Sequence, residues 1–180
     1  MNRYAVFIDG GYLKKVLKAV GEPRISYLKL SEVVAQGEER LRTYYYDCSP
    51  FVSEPPTEEE RTRKSNFDRF EFALEREPRF KIRLGRLAKN FTDKGIKFEQ
   101  KMVDTLLSVD LVKLAVDKSI CRAVLFAGDS DYIPAIEIAR DEGVIVQLYY
   151  SPKAGVHGQT LSACDERLVI DEGLIQKILR

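Results

Sequence analysis

The chain has 180 residues, 44% of them hydrophobic, and a formal net charge of +1 at pH 7. This length fits one domain, and no apolar run approaches the roughly 18 residues that a transmembrane helix requires. The three cysteines, Cys48, Cys121 and Cys164, match no zinc or redox spacing, so a cytoplasmic protein with reduced thiols and no membrane partner is expected. The single histidine excludes a histidine-rich metal site, so catalysis would rest on carboxylates.

Hydrophobic periodicity predicts strands and helices that alternate along the chain. The predicted strands are residues 3–8, 40–47, 79–87, 96–99, 123–127, 144–150 and 167–170. The predicted helices are residues 12–19, a short piece ending near 35, 57–76, 102–117, 132–142, 160–164 and 172–179. Because crossovers of this type join parallel strands, we expect one α/β domain over residues 1–180, with a central, mainly parallel sheet between two layers of helices.

Two aromatic segments have alternative interpretations. Tyr44, Tyr45 and Tyr46 lie in a predicted strand, and Phe67, Phe70, Phe72 and Leu74 are the apolar anchors of the helix that starts at a capping box, Thr57 to Glu60. Both segments are explained equally well by core packing and by the surface of a homodimer.

We expect a basic hairpin insertion at about residues 79–100. From residue 79 to residue 101 there are eight basic side chains and two acidic ones, a local charge of +6. Phe80, Ile82 and Leu84 alternate with basic residues, which is typical of a half-exposed strand. The hairpin is either an ordinary solvated face or a track for a phosphate backbone. The candidate RNA-binding residues are Lys81, Arg83, Arg86, Lys89 and Lys101.

Carboxylates follow two of the predicted buried strands. Asp9 comes directly after residues 4–8, while Asp129 and Asp131 follow residues 123–127 and Gly128. Because the carboxyl ends of parallel strands form the ligand crevice of an open sheet, we expect these side chains to lie close together. Asp104 lies in the first turn of a predicted helix, where a carboxylate is also favoured as a simple cap.

Converging carboxylates have a chemical consequence. Two unit charges about 4 Å apart repel by roughly 4 kcal/mol at an effective dielectric constant near 20, and a cation removes that penalty. Ligand sets made only of oxygen suit Mg²⁺ or Mn²⁺, which activate water for phosphodiester hydrolysis. Asp110 does not share the helix face of Asp104 and is ranked as structural, and Ser130 either bonds a ligand or shapes the turn.

At these residues the sequence resembles the NYN domain family, a branch of the PIN-like ribonucleases. The matching segments are Val6-Phe7-Ile8-Asp9-Gly10, Lys101-Met102-Val103-Asp104 with Asp110, and Ala127-Gly128-Asp129-Ser130-Asp131-Tyr132. Two positions depart from the family pattern: Gly10-Gly11-Tyr12 replaces an asparagine near the first aspartate, and Met102 replaces a glycine. The resemblance implies a PIN-like α/β/α sandwich whose Asp9, Asp104, Asp129 and Asp131 hold Mg²⁺ or Mn²⁺ and cleave RNA.

Other functions remain as alternatives. A PIN-like module that binds RNA or a protein without cleaving is the main one. A haloacid-dehalogenase-like phosphatase is disfavoured, because Gly11 and Ile133 stand where its motifs need acids, and no Gly-x-Gly-x-x-Gly supports a dinucleotide site. Tyr12, Tyr132 and Phe91 are candidates for stacking on unpaired bases, although packing is the more frequent role of such residues.

Overall fold

Seven strands make up the sheet of the computed structural model, which describes residues 2–92 and 95–180 and, for 88–92 and 96–100, the backbone without side chains. The strands are β1 (Arg3–Asp9), β2 (Glu39–Cys48), β3 (Phe80–Thr92), β4 (Gly95–Lys101), β5 (Arg122–Phe126), β6 (Ile145–Tyr150) and β7 (Glu166–Val169). The helices are α1 (Gly10–Ala19), α2 (Tyr27–Val33), α3 (Glu58–Glu75), α4 (Val103–Val116), α5 (Ile133–Asp141), α6 (Gly158–Ala163) and α7 (Glu172–Ile178).

The strand order is β4-β3-β2-β1-β5-β6-β7. The six neighbouring strands β3-β2-β1-β5-β6-β7 are parallel to one another. The edge strand β4 runs antiparallel to its neighbour β3. The expected mainly parallel sheet is therefore confirmed. The connections run outwards in one direction from β1 and in the other from β5, so the topological switch point lies between these two strands.

Helices cover both faces of the sheet, as the sequence predicts. Along β1, Val6 and Ile8 pack on one side into a core shared with α1, α2, α3 and α7. Ala5 and Phe7 point to the other side, where the core is completed by α4, α5 and α6. Burial of both strand faces explains why β1 and β5 are continuous apolar runs. Among the described residues, no helix combines the length and the apolar character needed to cross a bilayer.

The basic hairpin projects beyond the carboxyl edge of the sheet. Residues 80–85 of β3 pair with residues 43–48 of β2, whereas residues 86–92 pair only with β4. Both strands are longer than predicted, because the extra residues pair with each other and not with the core. Gly85 sits where they meet α4: an added Cβ would lie 2.4 Å from the Lys101 carbonyl oxygen.

Two aromatic expectations are resolved by burial. Tyr44, Tyr45 and Tyr46 are buried, so they belong to the core and do not provide a dimer surface. Phe72 was expected as an anchor of α3, and this is wrong, since it is 62% exposed while Phe67 and Leu74 are buried. The capping box of Thr57 and Glu60 is present at the start of that helix.

Candidate functional site

Asp9 is held by a strand end and a helix start together. It is the last residue of β1 and the N-cap of α1, where its Oδ1 accepts a hydrogen bond from the Tyr12 backbone N–H at 3.0 Å. The next residue has to be small, because a Cβ on Gly10 would lie 2.5 Å from the Tyr45 hydroxyl. The carboxylate is therefore fixed at the carboxyl edge, with Oδ2 left for other partners.

The hydroxyl of Tyr132 joins Asp9 to Asp104. Its oxygen lies 2.9 Å from Asp9 Oδ2 and 2.7 Å from Asp104 Oδ1. Tyr132 is fully buried and lies in a short 3₁₀ turn after β5, while Asp104 lies in the first turn of α4. Two carboxylates from distant parts of the chain thus lie within hydrogen-bond distance of the same hydroxyl oxygen.

One hydroxyl carries one proton, so Tyr132 can donate to only one of the two carboxylates at a time. Burial raises the pKa of Asp9, and the negative charge of Asp104 raises it further, against the bonds from Tyr12 and Tyr132. Burial and the same two carboxylates raise the pKa of Tyr132, so the hydroxyl stays protonated. The pair is therefore stabilised by any added positive charge, whether a proton or a metal cation.

Asp9, Asp104 and Asp129 line one cleft of about 650 Å³ at the switch point. Asp129 is exposed, and its Oδ1 accepts a hydrogen bond from the Asp131 backbone N–H at 3.2 Å. Its carbonyl oxygen accepts another from the Thr160 hydroxyl at 2.9 Å, which ties the turn to α6. The structure thus brings these three predicted residues to one cleft.

The back of this cleft is a close contact between Gly128 and Tyr12. A Cβ on Gly128 would lie 2.4 Å from Tyr12 Cε2, so only glycine fits. The Tyr12 hydroxyl accepts a bond from the Ser151 backbone N–H at 3.1 Å. Tyr12 and Tyr132 are both buried, so of the two roles considered for them the structure shows packing and leaves neither ring free to stack on a base. The Phe91 side chain lies outside the described residues.

Asp131 does not line the acidic cleft. Its exposed side chain lines a separate groove between α4 and α5, which also reaches Asp104. Ser130 begins the 3₁₀ turn, and its carbonyl oxygen accepts the Ile133 backbone N–H, so its visible role is to shape the turn. Asp104 is therefore the one predicted acid that lines both the cleft and the groove.

Asp110 is a structural partner of Arg83. Arg83 Nε and Nη2 donate to the two carboxylate oxygens of Asp110 at 2.9 and 2.5 Å, and the Tyr46 hydroxyl donates to Oδ2 at 3.0 Å. Asp110 is buried, and it lines neither the cleft nor the groove. Arg83 was expected among the RNA-binding residues, but this bidentate bond already engages its guanidinium.

The remaining candidate cations are spread along the hairpin. Lys81 and Arg86 are exposed on β3, and Lys101 is exposed at the end of β4, where it lines the groove beside Asp104. The Lys89 side chain lies outside the described residues. Sequence reasoning did not select Lys15 and His157, two exposed residues that line the acidic cleft. The loop after β6 also leaves the carboxyl edge, so the rule that selects Asp129 would have selected His157.

The carboxylates of the cleft can be compared with the ligands that a protein-bound metal ion requires. No three His, Cys, Asp or Glu side chains in the described part of the chain are grouped closely enough to hold a metal ion. Mg²⁺, however, is commonly held by one or two carboxylates together with water and substrate phosphates. Asp9 and Asp104 provide an adjacent, oxygen-only pair, and Asp129 lines the same cleft. These residues fit Mg²⁺ or Mn²⁺.

Comparison with known proteins assigns the family. The profile of the NYN domain matches residues 3–171. The chain belongs to the NYN domain family. NYN domains have a PIN-like, nuclease-type fold and are generally ribonuclease-like, so membership of the family supports a hydrolase at this coarse level.

Two further proteins are similar to this NYN domain, one in structure and one in sequence. A crystal structure of a Vibrio parahaemolyticus protein of unknown function superposes with a TM-score of 0.69 at 18% identity, covering 99% of this chain and 96% of the other. This likeness shows a shared fold. The uncharacterized protein y4oD of Sinorhizobium fredii is 39% identical over 64 residues, which are 35% of this chain and 30% of that protein.

Proposed function

We propose that this NYN domain is a metal-dependent ribonuclease that hydrolyses RNA phosphodiester bonds at the cleft of Asp9, Asp104 and Asp129. The observation that carries the proposal is the pair of carboxylates held on the Tyr132 hydroxyl at the switch point of the sheet. A cluster of like charges in a half-buried position is unfavourable for stability alone and favours a cation. Asp131 adds negative charge on the groove side of Asp104.

Asp9 and Asp104 would hold Mg²⁺ or Mn²⁺, with Asp129 beside them. When bound, such an ion supplies an activated water and neutralises charge on a phosphate. Tyr132 orients the two carboxylates, because its buried ring fixes the hydroxyl between them. Lys15, an exposed cation of the cleft wall, binds a phosphate oxygen of the substrate, and the exposed His157 stands at the same rim. The cleft therefore has an acidic floor and basic groups at its margin.

The RNA strand is proposed to reach this cleft along the hairpin. The hairpin projects past the same carboxyl edge on which the acids lie, and it ends at Lys101, close to Asp104. Exposed cations such as Arg86 bind phosphates without regard to sequence. The overall charge of +1 makes such a local patch necessary for RNA binding.

A non-catalytic PIN-like module that binds RNA or protein is the second candidate. One observation favours it: among the described residues, the acids do not form a group of three that could hold a metal. In such a module any metal held by the carboxylates would support no turnover, and bound RNA would stay intact with or without metal.

The deciding experiment incubates a pool of structured and single-stranded RNAs with the protein and Mn²⁺, Mg²⁺ or EDTA. Asp9→Asn and Asp104→Asn are compared with the wild type, and Asp141→Asn, an exposed acid at the end of α5, is the matched control. Cleavage is expected to need metal and to fall at least about 100-fold in both site variants, because each removes a charge of the proposed ligand set. Asp141→Asn is expected to match the wild type.

A binding measurement keeps activity and metal affinity separate. Mn²⁺ titration followed by calorimetry is expected to give a site that Asp9→Asn weakens and Asp141→Asn leaves unchanged. Equal cleavage by all four proteins would identify a contaminant. RNA binding without cleavage under any metal condition would establish the non-catalytic module.

A further inference from the structure

Helix α4 is apolar on two opposite sides. Leu107, Leu111 and Ala115 are buried against the sheet. Val109 and Val116 lie on the outward side and are 55% and 53% exposed. A helix on the surface of a soluble domain normally has one apolar stripe and a polar outward face. The second stripe therefore points to a partner that covers it.

The second stripe forms one wall of a groove of about 900 Å³ between α4 and α5. Val109, Val112 and Val116 line one side, and Pro134 and Ile138 of α5 line the other. Its two ends are charged. Lys101, Asp104 and Asp131 lie at the end near the acidic cleft, and Lys113 and Asp117 lie at the other end.

The lining of this groove argues against a nucleobase as its occupant. The described lining residues include neither an aromatic ring nor a guanidinium group, which are the groups on which unpaired bases stack. Branched aliphatic side chains suit the ridges-into-grooves packing of another helix against α4. The stripe also runs along α4, whose 14 residues span about 21 Å at 1.5 Å per residue.

We propose that a second copy of this chain occupies the groove, with the two α4 helices antiparallel across a two-fold axis. In this arrangement the valines of the two stripes face each other. Asp131 at one end faces Lys113 of the second copy, and symmetry makes the same contact twice. Lys113 is bound to Asp117 in the single chain at 2.6 Å, but both are exposed, so exchanging this partner has little effect on stability.

The dimer would also complete the acidic cleft. Because Asp104 lines both the groove and the cleft, a copy seated in the groove closes one side of the acidic site. It brings Lys113 of the second copy beside Asp131, at the end of the groove that lies near the acidic cleft. The dimer itself stands on the apolar stripe and does not depend on nuclease activity.

The first test measures the mass of the full chain by sedimentation velocity over a range of micromolar concentrations. The wild type is expected to be a dimer and Val109→Glu a folded monomer, because Val109 is already exposed in the single chain and its substitution leaves the core intact. Val33→Glu on α2, another exposed valine at a helix end away from the groove, is the matched control and is expected to remain dimeric. A wild type that stays monomeric throughout, or a Val109→Glu dimer, would overturn the proposal.

The second test reverses the charges of the end contact. Lys113→Glu is expected to weaken dimerisation by about tenfold or more, since it faces Asp131 with a like charge, and Asp131→Lys in the same chain is expected to restore it. A double variant as weak as the single one contradicts the antiparallel pairing. If Val109→Glu leaves the mass unchanged but weakens RNA binding, the groove binds nucleic acid, and the proposal that a second copy occupies it is wrong.

Discussion

At the scale of single residues, the site depends on one tyrosine hydroxyl that has two acceptors and one proton. Tyr132 lies within hydrogen-bond distance of both Asp9 and Asp104, and burial prevents water from taking either place freely. Neighbouring glycines serve this arrangement by permitting close approach. Gly10 lies against the Tyr45 hydroxyl, and Gly128 lies against the ring of Tyr12. The residues of the site are therefore held in an arrangement that favours the binding of a positive charge, although this arrangement lowers the stability of the protein when no such charge is bound.

Asp9→Asn is expected to stabilise the protein, and the gain should grow with pH. Burial raises the pKa of Asp9 in the folded state, so the folded protein favours the protonated carboxyl. Below the unfolded-state pKa, Asp9 is protonated in both states and its substitution changes little. As pH rises through the folded-state pKa, the wild type must charge this carboxyl beside Asp104 and loses stability, whereas asparagine does not.

The check is the melting temperature of both proteins from about pH 4 to about pH 8, without added metal. The difference between Asp9→Asn and wild type should widen towards high pH. Asp141→Asn, at an exposed carboxyl, is expected to show no such trend. A difference that stays constant with pH would mean that Asp9 is charged at no cost in the folded state, and one that narrows would mean that its charge is stabilising; either result contradicts the prediction.

At the scale of elements, β3 and α4 are joined by an ion pair that crosses from sheet to helix. The sequence predicts that Arg83 lies on the exposed side of its strand, where basic residues alternate with apolar ones. In the structure α4 covers that side, and Asp110 of α4 contacts Arg83. A period of two tells which residues share a side of a strand, but not what lies opposite. The pair orients α4, whose first turn carries Asp104, and so supports the acidic site indirectly.

Asp110→Asn is expected to lower the free energy of unfolding by about 1–3 kcal/mol, because Arg83 and Tyr46 lose a charged acceptor. The loss is smaller than for a fully buried pair, since the Arg83 side chain is 30% exposed and can be rehydrated. Chemical denaturation measures it. Asp68→Asn breaks the exposed pair with Lys64 and is the matched control, with an expected change within about 0.5 kcal/mol. Equal effects of the two variants would contradict the structural role of Asp110.

Much of the fold follows from patterns in the sequence, and much of the site from the ends of the strands. The continuous apolar runs of β1 and β5 predict buried parallel strands, and Asp9 and Asp129 follow from where those runs stop. The length of β3 and β4 does not follow, because their outer halves pair with each other and need no apolar pattern. Asp131 was grouped with Asp129, but the turn places these side chains in different cavities. Sequence spacing carries no information on such a division.

At the scale of the whole molecule, charge is organised at one edge of the sheet. The net charge is only +1, yet the carboxyl edge carries a cleft floored by carboxylates and a hairpin rich in lysine and arginine. On the proposed function, a phosphate backbone bound by the hairpin would lie beside the acids, which would repel it unless a cation were present. Binding of RNA and of metal is therefore expected to be mutually supportive.

Arg86→Ala is expected to reduce the salt dependence of RNA binding. Each cation that contacts a phosphate of a single strand contributes about 0.7 units to the slope of log K against log salt, so the magnitude of the slope should fall by about 0.7. Fluorescence anisotropy of a labelled single strand in EDTA gives the slope without cleavage. Lys177→Ala on α7 removes another exposed cation, from a different part of the surface, and should leave the slope unchanged. If Arg86→Ala also leaves it unchanged, the hairpin is an ordinary solvated face.

The pairing of β1 with β5 has a consequence for how this protein is made. Tyr4 lies opposite Arg122 and Ile8 opposite Phe126, so neighbours in the sheet are separated by more than a hundred residues of chain. Closing so long a loop is entropically unfavourable and slow, and parallel pairing of this kind forms late in folding. During synthesis, a nascent chain that ends before Arg122 already contains Asp9 and Asp104. It still lacks β5 and Tyr132, which follows β5 and bridges the two carboxylates. The acidic pair therefore assembles only after the chain as far as Tyr132 has left the ribosome.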